Sequence, residues 1–459
     1  MEYLPGFLAV LLSVHSWLIP GTLLIVLFLL SRFFFRGPLK VEIPKPDKAS
    51  PTPTTANPPS PASSTTAPSP RPTNAAPPVG SENIPRPPAS APPPPPSAAS
   101  ESPMPPPPNR SGYIETESRE GDFTRSGSVW NYDATLVRVF YATDRLRVLG
   151  TVDNTQYNWG RSPEGRLEYG ECQVSIPDIH ILGHFESPSW LKFEFRPDPN
   201  KHIVLAKTTT LEEDHFFEAV KQSILNSKKK DAFVFIHGYN VTFEDAARRT
   251  GQFAYDLKFV GAPIFYSWPS NGKVADYLKD ETNAAWSIPH FQTFLTLLAQ
   301  RSGAERVHVI AHSMGNRVVC EALRILSADP GNPMQLHHLI LAAPDIDAAT
   351  FAELSRLLRK QSINITLYES RNDKALLASK KIHGYVRAGE PLLVLEGLDT
   401  VDASAIDTDF LGHSYFSSDY ALLSDIHTML FSDEPAARRI GLNLKQNDSG
   451  AYYEFLPHA

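Results

Sequence analysis

From residue 203 onward, short apolar runs alternate with longer stretches in which apolar side chains recur every three or four positions. The short runs predict buried strands, and the longer stretches predict helices that bury one face. We predict strands at 232–236, 263–267, 306–310, 339–342, 363–368 and near 392–395. We predict helices at 211–225, 243–258, 274–300, 316–323, 348–359, 374–380 and 419–431. This alternation indicates an α/β fold, with a mostly parallel sheet covered by helices on both faces.

Four earlier runs are also typical of strands, at 135–142, 167–176, 191–195 and 203–206. The first carries Leu136, Val137, Val139 and Phe140, bulky side chains that suit a strand. Together the four runs predict antiparallel lead-in strands ahead of the parallel part of the sheet.

The segment Ala311-His312-Ser313-Met314-Gly315 follows the strand at 306–310 and precedes a helix. A sharp turn between a strand and a helix lifts a serine above the end of a sheet, where its hydroxyl can act as a nucleophile. Small residues flank the serine because strand and helix backbones nearly touch there, although Ala311 stands in place of the usual glycine. The helix N-terminus adds free N–H groups and a positive dipole that favour an anionic intermediate. We therefore predict Ser313 as a nucleophile.

A nucleophilic serine needs a base, and the base needs an acid that orients it. In hydrolases with such an elbow, the acid and the histidine follow the serine in that order. Asp373, after the strand at 363–368, is our predicted acid, and a helix N-cap is its structural alternative. Asp345 and Asp347, after the preceding strand, are its rivals, with Asp345 the stronger of the two. His413, in a late loop, is our predicted base, and His427, inside the last helix, is its competitor.

An oxyanion hole needs two backbone donors. The N–H of Met314, directly after the nucleophile, is one candidate. The N–H of Tyr239, in the loop after the strand at 232–236, is the other. We predict that Trp268 and His237 lie at the substrate site, with two alternatives: Trp268 belongs to the core, and His237 supports the loop.

These segments resemble those of the α/β-hydrolase superfamily, and more narrowly those of a bacterial family of uncharacterised esterase- or lipase-like hydrolases. The resemblance covers roughly residues 130–431 and is carried by Phe140-Tyr141-Ala142-Thr143-Asp144-Arg145, Tyr169-Gly170-Glu171-Cys172, Phe235-Ile236-His237-Gly238-Tyr239-Asn240, Tyr266-Ser267-Trp268-Pro269, the serine segment, Ala343-Pro344-Asp345-Ile346-Asp347 and Gly412-His413-Ser414. It implies an α/β-hydrolase fold and a Ser-Asp-His hydrolase, and Ser313, Asp373 and His413 match that pattern in order. It implies no particular substrate.

Only about 20 residues separate the strand at 339–342 from the strand at 363–368, which is room for one helix and short loops. A cap domain is commonly inserted at this point of the fold. We therefore predict an open site with no large cap domain, and any cover would come from residues 120–205.

Residues 3–31 contain no Asp, Glu, Lys or Arg, and the run is long enough to cross a bilayer. A cleaved signal peptide fits poorly, because the run is preceded by the acidic Glu2 and by no basic residue. Two half-helices that return to the same side of the membrane are a further alternative. Basic residues follow the run, which favours a cytoplasmic C-terminal domain. We predict an N-terminal transmembrane anchor within 1–40, single-pass, in a bacterial inner membrane.

Residues 41–108 hold 25 of the 42 prolines. Such a segment cannot bury apolar surface and stays extended. We predict a disordered Pro/Ala/Ser-rich linker over 41–115 that serves as a tether, or alternatively as a polyproline docking site. A catalytic domain over 120–431 and a C-terminal tail over 432–459 complete the predicted organisation.

The composition of the chain mainly excludes some kinds of partner and site. The net charge of −7 and the pI near 6.1 argue against a nucleic-acid partner. Cys172 and Cys320 do not make a disulfide framework. The pair His337-His338 precedes a strand and lacks further ligands along the sequence, so we expect no metal site and no cofactor.

The sequence therefore predicts a membrane-anchored serine hydrolase that acts on small-molecule or lipid esters through an acyl-enzyme. An amidase, a thioesterase or a peptidase could use the same three residues. A catalytically silent scaffold on a tether is an alternative of a different kind.

Overall fold

Strands and helices alternate along the chain as the sequence predicts. The computed structural model describes residues 123–125, 128–130, 134–148, 157–188, 196–329, 331–332, 334–390, 392–406 and 416–456. The predicted anchor, the linker, the strand at 191–195 and the predicted base His413 lie outside these residues. Among the helices that are described, none has the length and apolar character needed to span a membrane.

The strands, in chain order, are β1 (Phe123–Arg125), β2 (Ser128–Trp130), β3 (Ala134–Thr143), β4 (Arg145–Arg147), β5 (Tyr157–Arg161), β6 (Glu168–Pro177), β7 (Val204–Leu211), β8 (Asp231–Ile236), β9 (Ala262–Ser267), β10 (Arg306–His312), β11 (Leu336–Ala342), β12 (Ser362–Glu369), β13 (Asp399–Asp402), β14 (Leu442–Asn447) and β15 (Gly450–Phe455). The helices are α1 (Glu213–Leu225), α2 (Phe243–Asp256), α3 (Tyr277–Arg301), α4 (Gly315–Leu326), α5 (Ala348–Gln361), α6 (Lys374–His383) and α7 (Phe416–Ser432).

One sheet of eleven strands organises the domain, in the order β14-β15-β13-β12-β11-β10-β8-β9-β3-β6-β7. Neighbouring strands from β15 to β3 pair in parallel, and β14, β6 and β7 add antiparallel strands at the two sides. The predicted mostly parallel α/β sheet is thus confirmed. The parallel strands all end at one edge of the sheet, which we call the carboxyl edge.

The central strands are apolar throughout because both faces of the sheet are covered. In β8, Val234 and Ile236 pack on one face, whereas Phe233 and Phe235 pack on the other, and none is more than 2% exposed. Helices α1, α3, α4 and α5 bury their apolar sides on the first face, and α2 and α7 bury theirs on the second. This two-sided burial is typical of parallel sheets.

Local signals explain where the helices at the carboxyl edge begin. Thr242 starts α2 with a capping box, since its hydroxyl accepts from Asp245 N–H at 3.1 Å while the Asp245 carboxylate accepts in return. Asp347 and Asp373 cap α5 and α6 through their own carboxylates. Gly384 ends α6 in a left-handed conformation, with φ of 79°.

The strand predicted near 392–395 is wrong: β13 lies at Asp399–Asp402 instead. The backbone of the apolar run bonds to side chains and not to a neighbouring strand. The Leu393 N–H donates to the Glu369 carboxyl at 2.8 Å, and the Leu393 carbonyl accepts from the Thr400 hydroxyl at 2.8 Å. Those contacts replace the ladder that an apolar run would otherwise form.

The prediction of a C-terminal tail over 432–459 also has to be corrected. Residues Leu442–Asn447 and Gly450–Phe455 form an antiparallel hairpin, and β15 extends the parallel sheet beside β13. Phe455 is buried in the core of the second face, where its ring stacks on Tyr368. The lead-in prediction holds for β6 and β7, whereas β3 pairs in parallel with β9.

Between β11 and β12 the chain forms only α5 and short connections. The prediction that no large cap domain is inserted at this point is therefore confirmed for the described residues. The carboxyl edge is surrounded instead by the loops after β8, β10, β11 and β12.

Candidate active site

Ser313 occupies the turn between β10 and α4, with a left-handed backbone of φ 49°. A non-glycine residue in this conformation costs roughly 1–3 kcal/mol and persists only where its surroundings hold it. The turn is tight because α4 starts against the end of β8: a methyl group on Gly315 would lie 2.5 Å from the His237 carbonyl oxygen. The predicted elbow geometry is therefore present.

Hydrogen bonds from neighbouring strands hold this strained turn. The Ser313 N–H donates to the Ala342 carbonyl at 3.0 Å, and the Asp345 N–H donates to the Ser313 carbonyl at 3.3 Å. The buried Asn316 amide donates to both of these carbonyls, at 2.9 and 3.1 Å. These four hydrogen bonds thus hold the turn, and three of them involve the Ser313 backbone directly.

The loop after β8 lies directly against the serine. A methyl group on Gly238 would be 2.9 Å from Ser313 Cβ and 3.1 Å from His312 Nδ1. Asn240, in a left-handed conformation with φ of 59°, donates its N–H to Asp280 at 3.0 Å. Within the described residues, the N–H groups of Met314 and Tyr239 make no hydrogen bond. The two N–H groups predicted as oxyanion donors, directly after Ser313 and directly after Gly238, are therefore without a hydrogen-bond partner in the described part of the chain.

His237 supports this loop from below. Its Nδ1 must donate to the Gly238 carbonyl at 2.8 Å, because that oxygen can only accept. Its Nε2 then accepts from the guanidinium of Arg145 at 3.3 Å. Burial, together with the charge of Arg145, lowers the pKa of His237 well below its usual value, so the ring is neutral. Of the two roles considered for His237, loop support fits these contacts.

Trp268 belongs to the core rather than to an open pocket wall. Its side chain is fully buried, and its indole N–H donates to the His237 carbonyl at 2.8 Å. The ring also stacks on the His237 imidazole, with centroids 4.9 Å apart. Burial therefore favours the structural alternative for Trp268 over the substrate contact that we predicted.

Arg145 and Asp280 position the same loop, a role that we did not predict from the sequence. Arg145 is fully buried and donates to the Val241 and Ser270 carbonyls at 2.8 Å each. Burial lowers its pKa to about 10, so it stays charged at neutral pH. Asp280 accepts from Asn240 N–H and Ser270 Oγ. The motif around Arg145 was visible in the sequence, but its contact with a loop 92 residues away was not.

The two candidate acids differ in what their carboxylates already bind. Asp345 accepts from Ser379 Oγ at 2.6 Å, Arg387 Nε at 2.8 Å and Arg317 at 3.3 Å, and also from a tyrosine hydroxyl. Burial raises its pKa, but the charge of Arg317 and the hydrogen bonds outweigh this and lower it. Asp345 is therefore an anchor that joins α3, α4 and α6.

Asp373 lies just after β12, at the N-terminus of α6. One carboxylate oxygen, Oδ1, accepts from Ala375 N–H at 2.8 Å and Leu376 N–H at 2.9 Å. Burial raises the pKa of Tyr239, and the charges of Asp373 and Asp345 raise it further, so both carboxylates lie in the neighbourhood of that side chain. Asp373 therefore caps α6 and also lies at the carboxyl edge, so its capping role does not prevent it from acting at that edge.

His427 does not reach this edge. Its ring stacks on Phe431 within α7, with centroids 4.4 Å apart. Burial, and then the charges of Lys258 and Lys229, lowers its pKa, and Lys229 precedes the start of β8 at the opposite edge. The competitor to His413 is therefore remote from Ser313, while His413 itself lies outside the described residues.

A parallel sheet with a strained serine between a central strand and a buried helix, faced by a glycine loop, defines the class of this domain. It has the α/β-hydrolase fold. Residues 212–430 match the family described as "Alpha/beta hydrolase of unknown function (DUF900)".

A curated relative and two solved structures were also similar. The uncharacterized protein alr1448 of Nostoc sp. is 30% identical over 148 residues, which is 27% of this chain and 36% of that protein. The match thus spans little more than a third of the relative. Phospholipase PlaB from Legionella pneumophila, in complex with thio-NAD, is 14% identical with a TM-score of 0.21, over 49% of this chain and 67% of that one. A second PlaB structure is 13% identical, with a TM-score of 0.23 and coverage of 49% and 68%.

Proposed function

We propose that this α/β hydrolase is a serine hydrolase that cleaves carboxylic esters through an acyl-enzyme. Ser313 is the nucleophile, His413 the general base and Asp373 the acid that orients the imidazole. The observation that carries the proposal is the left-handed Ser313, with the Gly238 loop pressed against it. Strain of this kind at a strand–helix turn is typical of a nucleophilic serine.

The reaction follows from these positions. His413 takes the hydroxyl proton as Ser313 attacks the ester carbonyl, and Asp373 stabilises the imidazolium that forms. The N–H groups of Met314 and Tyr239 bind the oxyanion, and collapse of the intermediate releases the alcohol, protonated by the imidazolium. Water, activated by the same histidine, then releases the acid and restores the serine.

The surface around the carboxyl edge supports an apolar acyl group. Leu278 on α3, and Leu377 and Ile382 on α6, have 62%, 36% and 54% of their surface exposed. These two helices meet at the site, because Tyr277 and Ser379 both bond to Asp345 beside the serine. Exposed apolar side chains beside a reactive edge favour lipid or long-chain esters over highly polar substrates.

The N-terminal run at 3–31 adds the second half of the proposal. We propose that it anchors the enzyme in a membrane, with the catalytic domain on the cytoplasmic side. The Pro-rich segment between them would give the domain reach over the lipid surface. Partition of the full chain into membranes, lost when residues 1–40 are deleted, would test this part by itself.

A fluorophosphonate probe tests the catalytic part. Such probes bond covalently to activated serines, so the full-length protein should be labelled at Ser313, as located by peptide mass spectrometry. The Ser313→Ala variant should lose labelling and lower ester hydrolysis by about 10⁴-fold or more. No labelling of the wild type would favour a silent scaffold, and labelling that survives the substitution would move the nucleophile elsewhere.

Matched ester, thioester and amide substrates would then separate the alternatives within this class. An amidase, thioesterase or peptidase would use the same serine, because one set of catalytic groups serves all these acyl transfers. We expect the ester to have the highest kcat/KM.

A further inference from the structure

A second cluster of chemically active side chains lies at the edge of the sheet opposite to Ser313. His337 and His338 stand at the start of β11, and Asp433 follows the C-terminus of α7. Nε2 of each histidine is 2.9 Å from the same oxygen, Asp433 Oδ1. His308, on β10, pairs in register with His338 and lies five residues before the serine, so about 16 Å separates the cluster from the nucleophile.

We propose that His337, His338 and Asp433 form a binding site for a divalent transition-metal ion such as Zn²⁺. Their ligand atoms all lie within 4.8 Å of one another. Ligand atoms around a tetrahedral zinc ion are about 3.4 Å apart, so small side-chain shifts would suffice. Two imidazoles and one carboxylate leave further positions open for water or another ligand. The site could not be predicted from the sequence, because Asp433 lies 95 residues beyond His338.

The buried imidazole of His308 is an independent observation. It is fully buried, and neither ring nitrogen has a hydrogen-bond partner among the described residues. Its ring stacks on His338 with centroids 5.3 Å apart and meets His337 edge to face at 5.6 Å. Leaving a buried polar ring unpartnered is costly. A water molecule on a bound ion would supply the partner that His308 lacks.

Two nearby cations work against the ion. Lys229 donates to the Phe431 carbonyl, close to the cluster. Arg306 is also close, but Asp231 pairs with it at 2.5 and 2.7 Å and offsets its charge. The Asp433 side chain is 42% exposed, so an ion can reach the cluster from solvent. We therefore expect a site that exchanges with solvent and that ties the end of α7 to β11.

Zinc titration of the full-length protein without an affinity tag tests the proposal. After treatment with a chelator, the protein should bind about one Zn²⁺ per chain, measured by elemental mass spectrometry. Its melting temperature should rise with zinc concentration, because an ion that binds only the folded state stabilises it.

Asp433→Asn is the decisive variant, because its amide oxygen still accepts hydrogen bonds from both histidines while the ligand charge is lost. We expect its zinc affinity to fall by about 10-fold or more. His427→Gln, on α7 but outside the cluster, is the matched control and should bind zinc like the wild type. Absence of zinc binding, or equal binding by Asp433→Asn and the wild type, would overturn the proposal.

Discussion

At the scale of single residues, the site depends on a backbone approach that only glycine permits. Gly238 faces Ser313 Cβ so closely that a methyl group would lie 2.9 Å away. Gly238→Ala must push the loop away from the serine and, with it, the Tyr239 N–H. Loss of one oxyanion donor lowers kcat by about 10²–10³-fold. We therefore expect Gly238→Ala to lower kcat by about 100-fold, with a smaller change in KM, in steady-state ester hydrolysis.

A glycine in open surroundings provides the control for that experiment. A methyl group on Gly331 would meet only the Asp329 carboxylate, at 3.4 Å. Gly331→Ala should therefore leave kcat unchanged. If both substitutions are silent, the Gly238 loop does not contribute to the oxyanion hole.

The choice between the two acids is also decided by single side chains. Asparagine caps helices nearly as well as aspartate, so Asp373→Asn should preserve α6. The neutral amide can neither hold the imidazole in the required tautomer nor stabilise the imidazolium that forms. The comparable change in a serine protease lowers kcat by about 10⁴-fold. We expect a loss of that order in Asp373→Asn, with little change in the denaturation midpoint.

Asp345→Asn should behave in the opposite way. Removal of its charge leaves Arg387 and Arg317 without their buried partner. Breaking a buried ion pair costs about 3–5 kcal/mol of unfolding free energy, while kcat per folded molecule should fall far less than in Asp373→Asn. The reverse pattern, with Asp345→Asn as the greater loss in kcat, would make Asp345 the acid.

At the scale of elements, the segment after β6 is held to α2 by a buried histidine. His180 donates from Nδ1 to Glu186 at 2.8 Å and from Nε2 to Asp256 at 2.7 Å. Since both nitrogens face carboxylates, the ring is protonated. Burial opposes its charge, but the hydrogen bonds from Asp256 and Glu186 outweigh burial and raise the pKa of His180 to about 9.

The sign of the resulting pH dependence follows from that raised pKa. In the unfolded chain the histidine titrates near 6.5, so its stabilisation is fully present below that pH. It is lost as the pH rises from about 6.5 to about 9, and the loss amounts to about 3 kcal/mol. We expect the urea midpoint to fall across this range in the wild type and to fall much less in His180→Gln. The exposed His215→Gln variant should follow the wild type; a flat wild-type profile would contradict the raised pKa.

Elements buried on both faces were predictable, whereas elements fixed by side-chain contacts were not. The apolar runs of β8 to β12 gave their positions within a few residues, because both faces of those strands are covered by helices. By contrast, β13 reads Asp-Thr-Val-Asp, with a carboxylate at each end. The hairpin of β14 and β15 is mostly half-buried, and its apolar residues are interrupted by Asn, Lys, Gln and Glu. In neither segment does the order of apolar and polar residues predict a strand or the strand with which it pairs.

The same division applies to the site. Ser313 and the Gly238 loop could be predicted because each follows a strand that ends at the carboxyl edge. The support from Arg145 and Asp280 could not, because it consists of contacts between residues far apart in the chain. Strand order places Arg145 beside the loop after β8 only once β3 is paired with β9 and β9 with β8.

At the scale of the whole molecule, the chemistry and the apolar surface share one edge of the sheet. The exposed side chains of Leu278 and Ile382 lie on the two helices joined through Asp345. Burying a leucine or isoleucine side chain gains about 1.5–3 kcal/mol. If this surface contacts lipid, replacement of both residues by serine should weaken interfacial binding by roughly 100-fold or more.

The expected result is a split between two kinds of substrate. Leu278→Ser/Ile382→Ser should lose most of its activity on long-chain esters in vesicles, where the enzyme must first bind the surface. It should keep its kcat/KM on a soluble short-chain ester, because Ser313 and the proposed oxyanion donors are untouched. Ile440→Ser/Leu444→Ser, which removes two exposed apolar side chains near β14, is the matched control and should retain both activities. Equal losses in the two double variants would mean that surface apolarity in general, and not this edge, governs lipid access.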